Sequence, residues 1–214
     1  FTVNAMAIAV DSLQQEEQVE IIDPLGGLND IERKLILPCS PEALADDPLR
    51  IIRGYRFAAV LHFDLAKEFK AALAESLPLL NQLAMERVSD ELFKIFALAD
   101  SSSYVEAMAE QGVLEELVPE MRPLRGLQQN WHHLHDAWQH ALLTYAGIEE
   151  VCAKLPLFFA AYAGDVRDHL EEIVASAHNR LQVLKFAALL HDIAKPQTRS
   201  LKDNGDHVFI GHEK

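Results

Sequence analysis

The sequence has few cysteines, few cations and no long apolar run. Two cysteines, Cys39 and Cys152, are too few for a disulfide framework. That scarcity suits a reducing compartment such as the cytoplasm. No apolar stretch approaches the roughly 20 residues of a membrane span. The segment "PLFFAAYAG" is too short, and no membrane partner is expected. The opening "FTVNAMAIAV" lacks the basic region and cleavage site of a secretory signal. Positive charge is scarce too: 19 Lys+Arg face 33 Asp+Glu, a formal net charge of -14. Affinity for nucleic acid comes largely from neutralised phosphates. This balance therefore argues against a general nucleic-acid surface, and such a role needs local basic sites. Strand-like segments are also rare, so the expected fold is mostly α.

What remains is ample for a core. The chain has 214 residues, half of them hydrophobic, enough for one large or two small domains. It lacks an initial Met, and its first residues and its last, "FIGHEK", fall inside what reads as structure. The expectation is a fragment. Residues 1–10 read as a short helix. Residues 17–24 read as one strand stopped by Pro24. "PLGG" is a turn, and Asp23 and Asp30 beside it read as turn and helix-cap carboxylates. A helix is expected over 28–36, broken by "PCSP". Further helices are expected near 46–61, 65–76, 88–99, 102–111 and 112–118. The Pro- and Gly-bearing segment 119–130 is the expected boundary. Helices follow at 134–152, 156–162, 165–178 and 181–194, then a polar loop over 196–207.

One segment stands out against the acidic background. "DDPLRIIRGYRF" (46–57) places Arg50, Arg53 and Arg56 three residues apart. On a helical wheel Ile51, Ile52, Tyr55, Ala58 and Ala59 share one arc, and the arginines share the opposite one. That second arc also holds Leu49, Phe57, Val60 and Leu61. Such a helix is buried on both sides, with guanidinium groups in a cleft. The plain alternative is that the arginines pair with nearby carboxylates. The functional one is a planar donor fork for phosphate, carboxylate or a base edge. Asp47, three residues before Arg50, adds acceptors to those donors. Such a pair can match the edge of cytosine or adenine.

Four segments in order, "FTVNAMA", "DPLGGLNDI", "DDPLRIIRGYRFAAVLHF" and "ERVSDELFKI", resemble the bacterial tRNA nucleotidyltransferase and poly(A) polymerase family. The resemblance implies that residues 1–37 end a catalytic head and that 38–118 form a helical neck and body. It implies that Asp47 and Arg50 read the base of incoming CTP or ATP. Arg53, Arg56 and Asn4 are expected near the nucleotide. Arg87, Glu91 and Lys94 are expected to hold the reading helix. The family's catalytic carboxylates and their Mg²⁺ ions belong to a head upstream of "FTVNA". No catalytic residue is expected here, and the fragment is expected to be inactive alone. The implied partners are CTP or ATP and the tRNA 3′ end or another RNA.

Histidines make a second pattern. "WHHLHDAWQH" (131–140) holds four of the ten, and "LLHDIAK" (189–195) ends an apolar helix in adjacent His and Asp. Buried together, both need partners, and a cation satisfies both. "DAWQHALLTY", "ALLHDIAKPQT" and "GHEK" resemble the HD superfamily of metal-dependent phosphohydrolases. The resemblance implies an all-α domain over 131–214, with His140, His191 and Asp192 as ligands of a divalent transition metal. It implies accessory roles for Lys195 and His212, and a final Asp ligand beyond Lys214. His132, His133 and His135 read as surface residues of an entry loop, the alternative being residues that support the metal ligands or face substrate. The leading expectation is thus part of an enzyme that adds CMP or AMP to tRNA 3′ ends, with an attached HD domain. One alternative is an HD phosphohydrolase whose helical first half is only structural. Another is a non-catalytic RNA-binding or oligomerising module using basic patches at Arg122, Arg125 and Lys154.

Overall fold

A computed structural model describes residues 1–9, 20–129, 134–175, 177–202 and 206–212. They form two compact units, Phe1–Ile95 and Phe96–Lys214. This division falls earlier than the boundary expected at 119–130. The physical reason lies in that segment itself. Its prolines sit in a 3₁₀ helix, Pro119–Leu124, whose Met121 and Leu124 are buried. Arg122 and Arg125 tie it to Glu116 and Glu115. It packs as part of the second unit rather than as a linker.

The first unit opens with a 3₁₀ turn, Thr2–Asn4. Strand β1 (Ala7–Ile8) then pairs antiparallel with β2 (Ile21–Ile22). The helix expected over 1–10 is therefore only a turn, because Ile8 and Ile21 find a strand partner in each other. Of the strand expected over 17–24, residues 17–19 lie outside the described residues. Helix α1 (Gly27–Glu32) is short. Asp23 caps it, accepting from the Gly27 and Leu28 amides at 2.7 and 2.9 Å. Those bonds hold its carboxyl below the ordinary range. Asp30 is buried and accepts from Thr2 Oγ1 at 2.7 Å. The helix expected to 36 stops early. Lys34 takes a positive φ of 54°, and β3 (Leu35–Ile36) pairs parallel with β4 (Asp64–Leu65).

Helices α2 (Ala43–Asp46), α3 (Leu49–Leu61), α4 (Lys67–Ser76) and α5 (Met85–Phe96) follow, with a 3₁₀ turn at Leu77–Gln82. Ile51, Ile52, Tyr55, Ala58 and Ala59 of α3 are all buried, as the wheel requires, but the helix is not buried on both sides as expected: on the second arc Leu49 is buried while Val60 and Leu61, in the last turn, are exposed. Gly54 is needed for the packing of α3. A Cβ there would lie 2.3 Å from the Phe69 ring, itself buried and flanked by Phe1 and Tyr55. Gly54→Ala is expected to destabilise this unit by about 1–3 kcal/mol through overpacking. This outweighs the about 1 kcal/mol gain in helix propensity. Urea denaturation followed by circular dichroism checks it. A variant as stable as the parent would contradict the close approach.

The second unit holds α6 (Ser102–Glu110), α7 (Val113–Leu117), α8 (Ala137–Ala153) and α9 (Leu155–Phe159). After a 3₁₀ turn at Ala160–Tyr162 come α10 (Ala163–Glu171), β5 (Ile173–Ala175), β6 (His178–Asn179) and α11 (Arg180–Leu190). Last are α12 (Lys195–Thr198), β7 (Arg199–Leu201) and β8 (His207–Phe209). Two expectations change. The helix over 165–178 ends at Glu171, because β-branched Ile173 and Val174 enter an antiparallel pair with β6. The expected polar loop over 196–207 instead holds most of α12 and strand β7, which pairs antiparallel with β8 beginning at His207.

Helices α8 and α11 form the centre of this unit, joined by buried charges. Lys185 is 1% exposed. Its ammonium donates to Glu149 Oε1 at 2.5 Å and to the Leu98 carbonyl at 2.6 Å. Glu149 also caps α6, accepting from the Ser101 hydroxyl at 2.6 Å and the Ser102 amide at 3.0 Å. The Tyr145 and Ser101 hydroxyls meet at 2.6 Å, and burial pushes the Tyr145 phenol up. Among the described residues no helix is long and apolar enough to cross a membrane.

Candidate functional site

In the first unit, Pro48 starts α3 and Asp47 stands just outside it in extended conformation. The Asp47 carbonyl accepts the Arg50 amide at 3.0 Å, so the two side chains leave neighbouring points of one turn. Both are half-buried. Arg50 Nη1 donates to the Ala43 carbonyl at 2.8 Å, which fixes its fork against α2. Arg50 and Arg53 line a cavity of about 250 Å³ with Phe1, Cys39 and Ala43. Asn4 is exposed and is not among that cavity's lining residues.

Arg56 points elsewhere. Its Nε donates to Glu91 Oε2 at 2.7 Å, and its guanidinium lies 4.3 Å from the Phe57 ring centre. Lys94 donates to the other oxygen of Glu91 at 2.9 Å. Burial would raise the Glu91 carboxyl, but Lys94 and Arg56 outweigh it and lower it. Arg87 Nη2 lies 3.6 Å from Asp47 Oδ1. Residues 87, 91 and 94 thus follow the i, i+4, i+7 spacing of one helical face. From α5, Arg87 reaches Asp47 just before α3 and Glu91 reaches Arg56 in its middle, while Lys94 holds Glu91.

The basic patches expected to meet RNA are paired with carboxylates. Arg122 bonds Glu116 at 2.8 Å and Lys154 bonds Glu150 at 2.7 Å. Arg125 bonds Glu115 and lies 4.1 Å from the Trp138 ring centre.

In the second unit the histidine pattern closes into a cluster. Asp136 caps α8 through the Gln139 amide at 2.8 Å and ties it to the Gly126 amide at 2.7 Å. That helix carries His140. His191 and Asp192 follow directly on α11, and the chain turns there, with the Lys195 amide bonded to the Asp192 carbonyl at 2.9 Å. Ligand atoms of His140, His191 and Asp192 lie within 4.8 Å of one another. His191 Nδ1 faces the Ala188 carbonyl at 2.8 Å, which directs Nε2 inward. This is the usual orientation of a metal-ligating imidazole. The Nε2 atoms of His140 and His191 are 3.2 Å apart. Two ligands at ~2.0–2.1 Å from one tetrahedral ion stand about 3.3 Å apart.

Asp192 is 2% exposed. Its Oδ2 lies 3.1 Å from His191 Nε2, 3.7 Å from His140 Nε2 and 2.7 Å from Lys195 Nζ. It nevertheless receives no aligned hydrogen bond among the described residues. His212 Nε2 stands 3.5 Å from the other oxygen, and His212 Nδ1 faces the Phe209 carbonyl at 2.6 Å. Burial would raise the Asp192 carboxyl, but contact with His191 and Lys195 holds it at about 2. Contact with Asp192 raises the His191 imidazole, against burial. A buried carboxylate oxygen without an aligned donor, facing two imidazole nitrogens, fits a divalent cation. His135 is exposed and lies 3.2 Å from Gln139 Oε1. His132 and His133 lie outside the described residues.

Sequence reasoning missed Gln129. It falls in the segment read as a boundary, yet it is buried and bonded to Lys195 at 2.5 Å. No local pattern marks it, because its side-chain partner Lys195 comes from a distant element.

Comparison with known proteins places these features in a family. Residues 62–124 match the family described as "Probable RNA and SrmB- binding site of polymerase A". The A-adding tRNA nucleotidyltransferase of Deinococcus radiodurans is 30% identical over all of this chain and 43% of its own length. The CC-adding tRNA nucleotidyltransferase of Geobacter sulfurreducens is 42% identical over 53% of this chain and 25% of its own length. A crystal structure of tRNA nucleotidyltransferase complexed with a primer tRNA and an incoming ATP analog superposes with a TM-score of 0.63 at 26% identity. It covers 89% of this chain and 47% of that one. The chain spans less than half the length of these relatives. Order of segments, mostly helical architecture and similarity along the whole chain agree: the chain belongs to the tRNA nucleotidyltransferase and poly(A) polymerase family.

Proposed function

We propose that the first unit reads the nucleotide for an RNA nucleotidyltransferase that adds C or A to tRNA 3′ ends in the cytoplasm. The observation that carries this is the shared cavity of Arg50 and Arg53; Asp47 is not among its lining residues, but its carbonyl accepts the Arg50 amide at the start of the same helix. At about 250 Å³ it is smaller than the ~300 Å³ at which drug-sized ligand sites begin. That size suits one base rather than a whole nucleotide. Arg50 supplies donors and Asp47 supplies acceptors, the pairing that cytosine or adenine edges require. Glu91, Arg87 and Lys94 serve as the brace of this helix, and Arg56 belongs to the brace through Glu91. Residues 1–37 are the end of the head that would hold Mg²⁺ and the catalytic carboxylates. Exposed Ile8, Ile21, Ile22 and Ile31 suit a surface that further strands cover. Titration with CTP, ATP, GTP and UTP tests the reading. Tighter binding of CTP or ATP supports it.

The second unit, in this reading, carries an HD-type phosphohydrolase site. His140, His191 and Asp192 would hold a divalent transition metal. Such an ion would supply Lewis-acid polarisation of a phosphoryl oxygen. Lys195 lines the adjoining cavity of about 440 Å³ with His207 and His212, where its ammonium can bind phosphate oxygens. Removing terminal phosphate from damaged RNA ends would leave the 3′-hydroxyl that nucleotide addition needs.

A further inference from the structure

Helices α6 and α8 leave a groove between them. They are tied at one end, where Glu149 of α8 caps α6 through Ser101 and Ser102. Toward the start of α8 they line a cavity of about 350 Å³. Its apolar walls are Val105 and Ala109 from α6, and Trp138, Leu142 and Ala146 from α8. Leu143 also lines it and is 49% exposed.

The charged residues of this groove leave one sign unmatched. Glu106 and Glu110 of α6 both line it and are exposed. They stand at i and i+4, where like charges repel. Neither has an ion-pair partner among the described residues. Asp136, the cap of α8, adds a third carboxylate. Arg125 is the cation among the described lining residues, and its charge is already matched. Its Nε bonds Glu115, its Nη2 donates to the Ala109 carbonyl at 2.5 Å, and its guanidinium lies 4.1 Å from the Trp138 ring centre.

Apolar walls beside three carboxylates complement one kind of occupant. Nucleic acid brings phosphates, the wrong sign of charge. An uncharged apolar segment would leave Glu106 and Glu110 without a counter-charge. We infer that the α6–α8 groove is a docking site for a basic, amphipathic segment of a partner protein. Its apolar side chains fill the slot, and its lysines or arginines meet Glu106, Glu110 and Asp136. Burial of those apolar side chains supplies affinity, as in other groove-bound segments. The carboxylates select the partner's charge. The inference is independent of the nucleotide-reading and metal-site assignments.

Fluorescence anisotropy with the 214-residue chain tests it. The probe is a fluorescein-labelled amphipathic peptide of leucine and lysine. A labelled peptide of glycine and lysine with the same charge controls for the chain's net charge of -14. The leucine peptide should bind about fivefold or more tightly than the glycine one. Glu106→Gln with Glu110→Gln should weaken it about fivefold or more. Glu120→Gln with Glu171→Gln removes the same charge from exposed positions outside the groove and should leave binding as in the parent. Leu143→Ser should weaken it about fivefold, through lost apolar contact. Circular dichroism checks that each variant keeps the parent fold. Equal binding of the two peptides, or equal weakening by the two pairs of substitutions, would overturn the inference, because only general charge attraction would remain. Binding undiminished by Leu143→Ser overturns it too, since the peptide would lie elsewhere. So does a parent chain that binds neither peptide.

Discussion

Lys185→Met is expected to destabilise the second unit by about 3–5 kcal/mol, the scale for breaking a buried ion pair from one side. The substitution leaves the buried Glu149 carboxylate with Ser101 and Ser102 as donors and no counter-charge. Adding Glu149→Gln should recover part of the loss, since a neutral amide needs no counter-charge. The pH dependence has a definite sign. Burial raises the Glu149 carboxyl, but the bonds from Lys185 and Ser101 outweigh it and hold it below the ordinary 4.5. A lowered folded value stabilises above the unfolded value and is lost as pH falls through the folded one. The parent therefore loses this contribution below pH 4.5. In Lys185→Met, burial acts without that counterweight, so protonation relieves the charge and the deficit narrows in acid. Trp138 is buried in this unit. Tryptophan fluorescence during urea denaturation at pH 7 and pH 4 measures both effects. A deficit below 1 kcal/mol, or one that widens in acid, would contradict the account.

Asp192→Ala is expected to abolish divalent-cation binding. Asp192 supplies the only carboxylate oxygen of the described cluster, and two neutral imidazoles alone hold a divalent ion poorly. In the parent chain, Mn²⁺ at 100 times its dissociation constant should stabilise the fold by about 2.7 kcal/mol, because it binds only the folded site. The variant should show no such gain, and chelation should reverse it in the parent. Thermal denaturation with and without Mn²⁺ measures this. Equal stabilisation of both chains would place the cation elsewhere.

Helix α3 and the histidine cluster were legible in the sequence for the same reason: helical periodicity and adjacent ligand types carry both. The wheel sorted Ile51, Ile52, Tyr55, Ala58 and Ala59 to the core side. It could not separate Arg56 from Arg50 and Arg53, because Glu91 arrives from another helix. His140, His191, Asp192, Lys195 and His212 were each visible as residue types near an apolar helix end. The short pairs β1–β2, β5–β6 and β7–β8 were not, since two or three residues carry no reliable period. Gln129 and the Lys185–Glu149 pair were hidden by distance along the chain. A lone lysine within "LQVLKFAALL" was the available sign that a buried counter-charge had to exist.

The central claim is that α3 and the turn before it read a base. Nucleotide discrimination tests it most directly, measured in the parent, Asp47→Ala and Arg50→Ala, in this chain and in one extended upstream. The account predicts tighter binding of CTP or ATP than of GTP and UTP, and loss of that preference in both variants. Equal binding of all four nucleotides by the extended chain would contradict it.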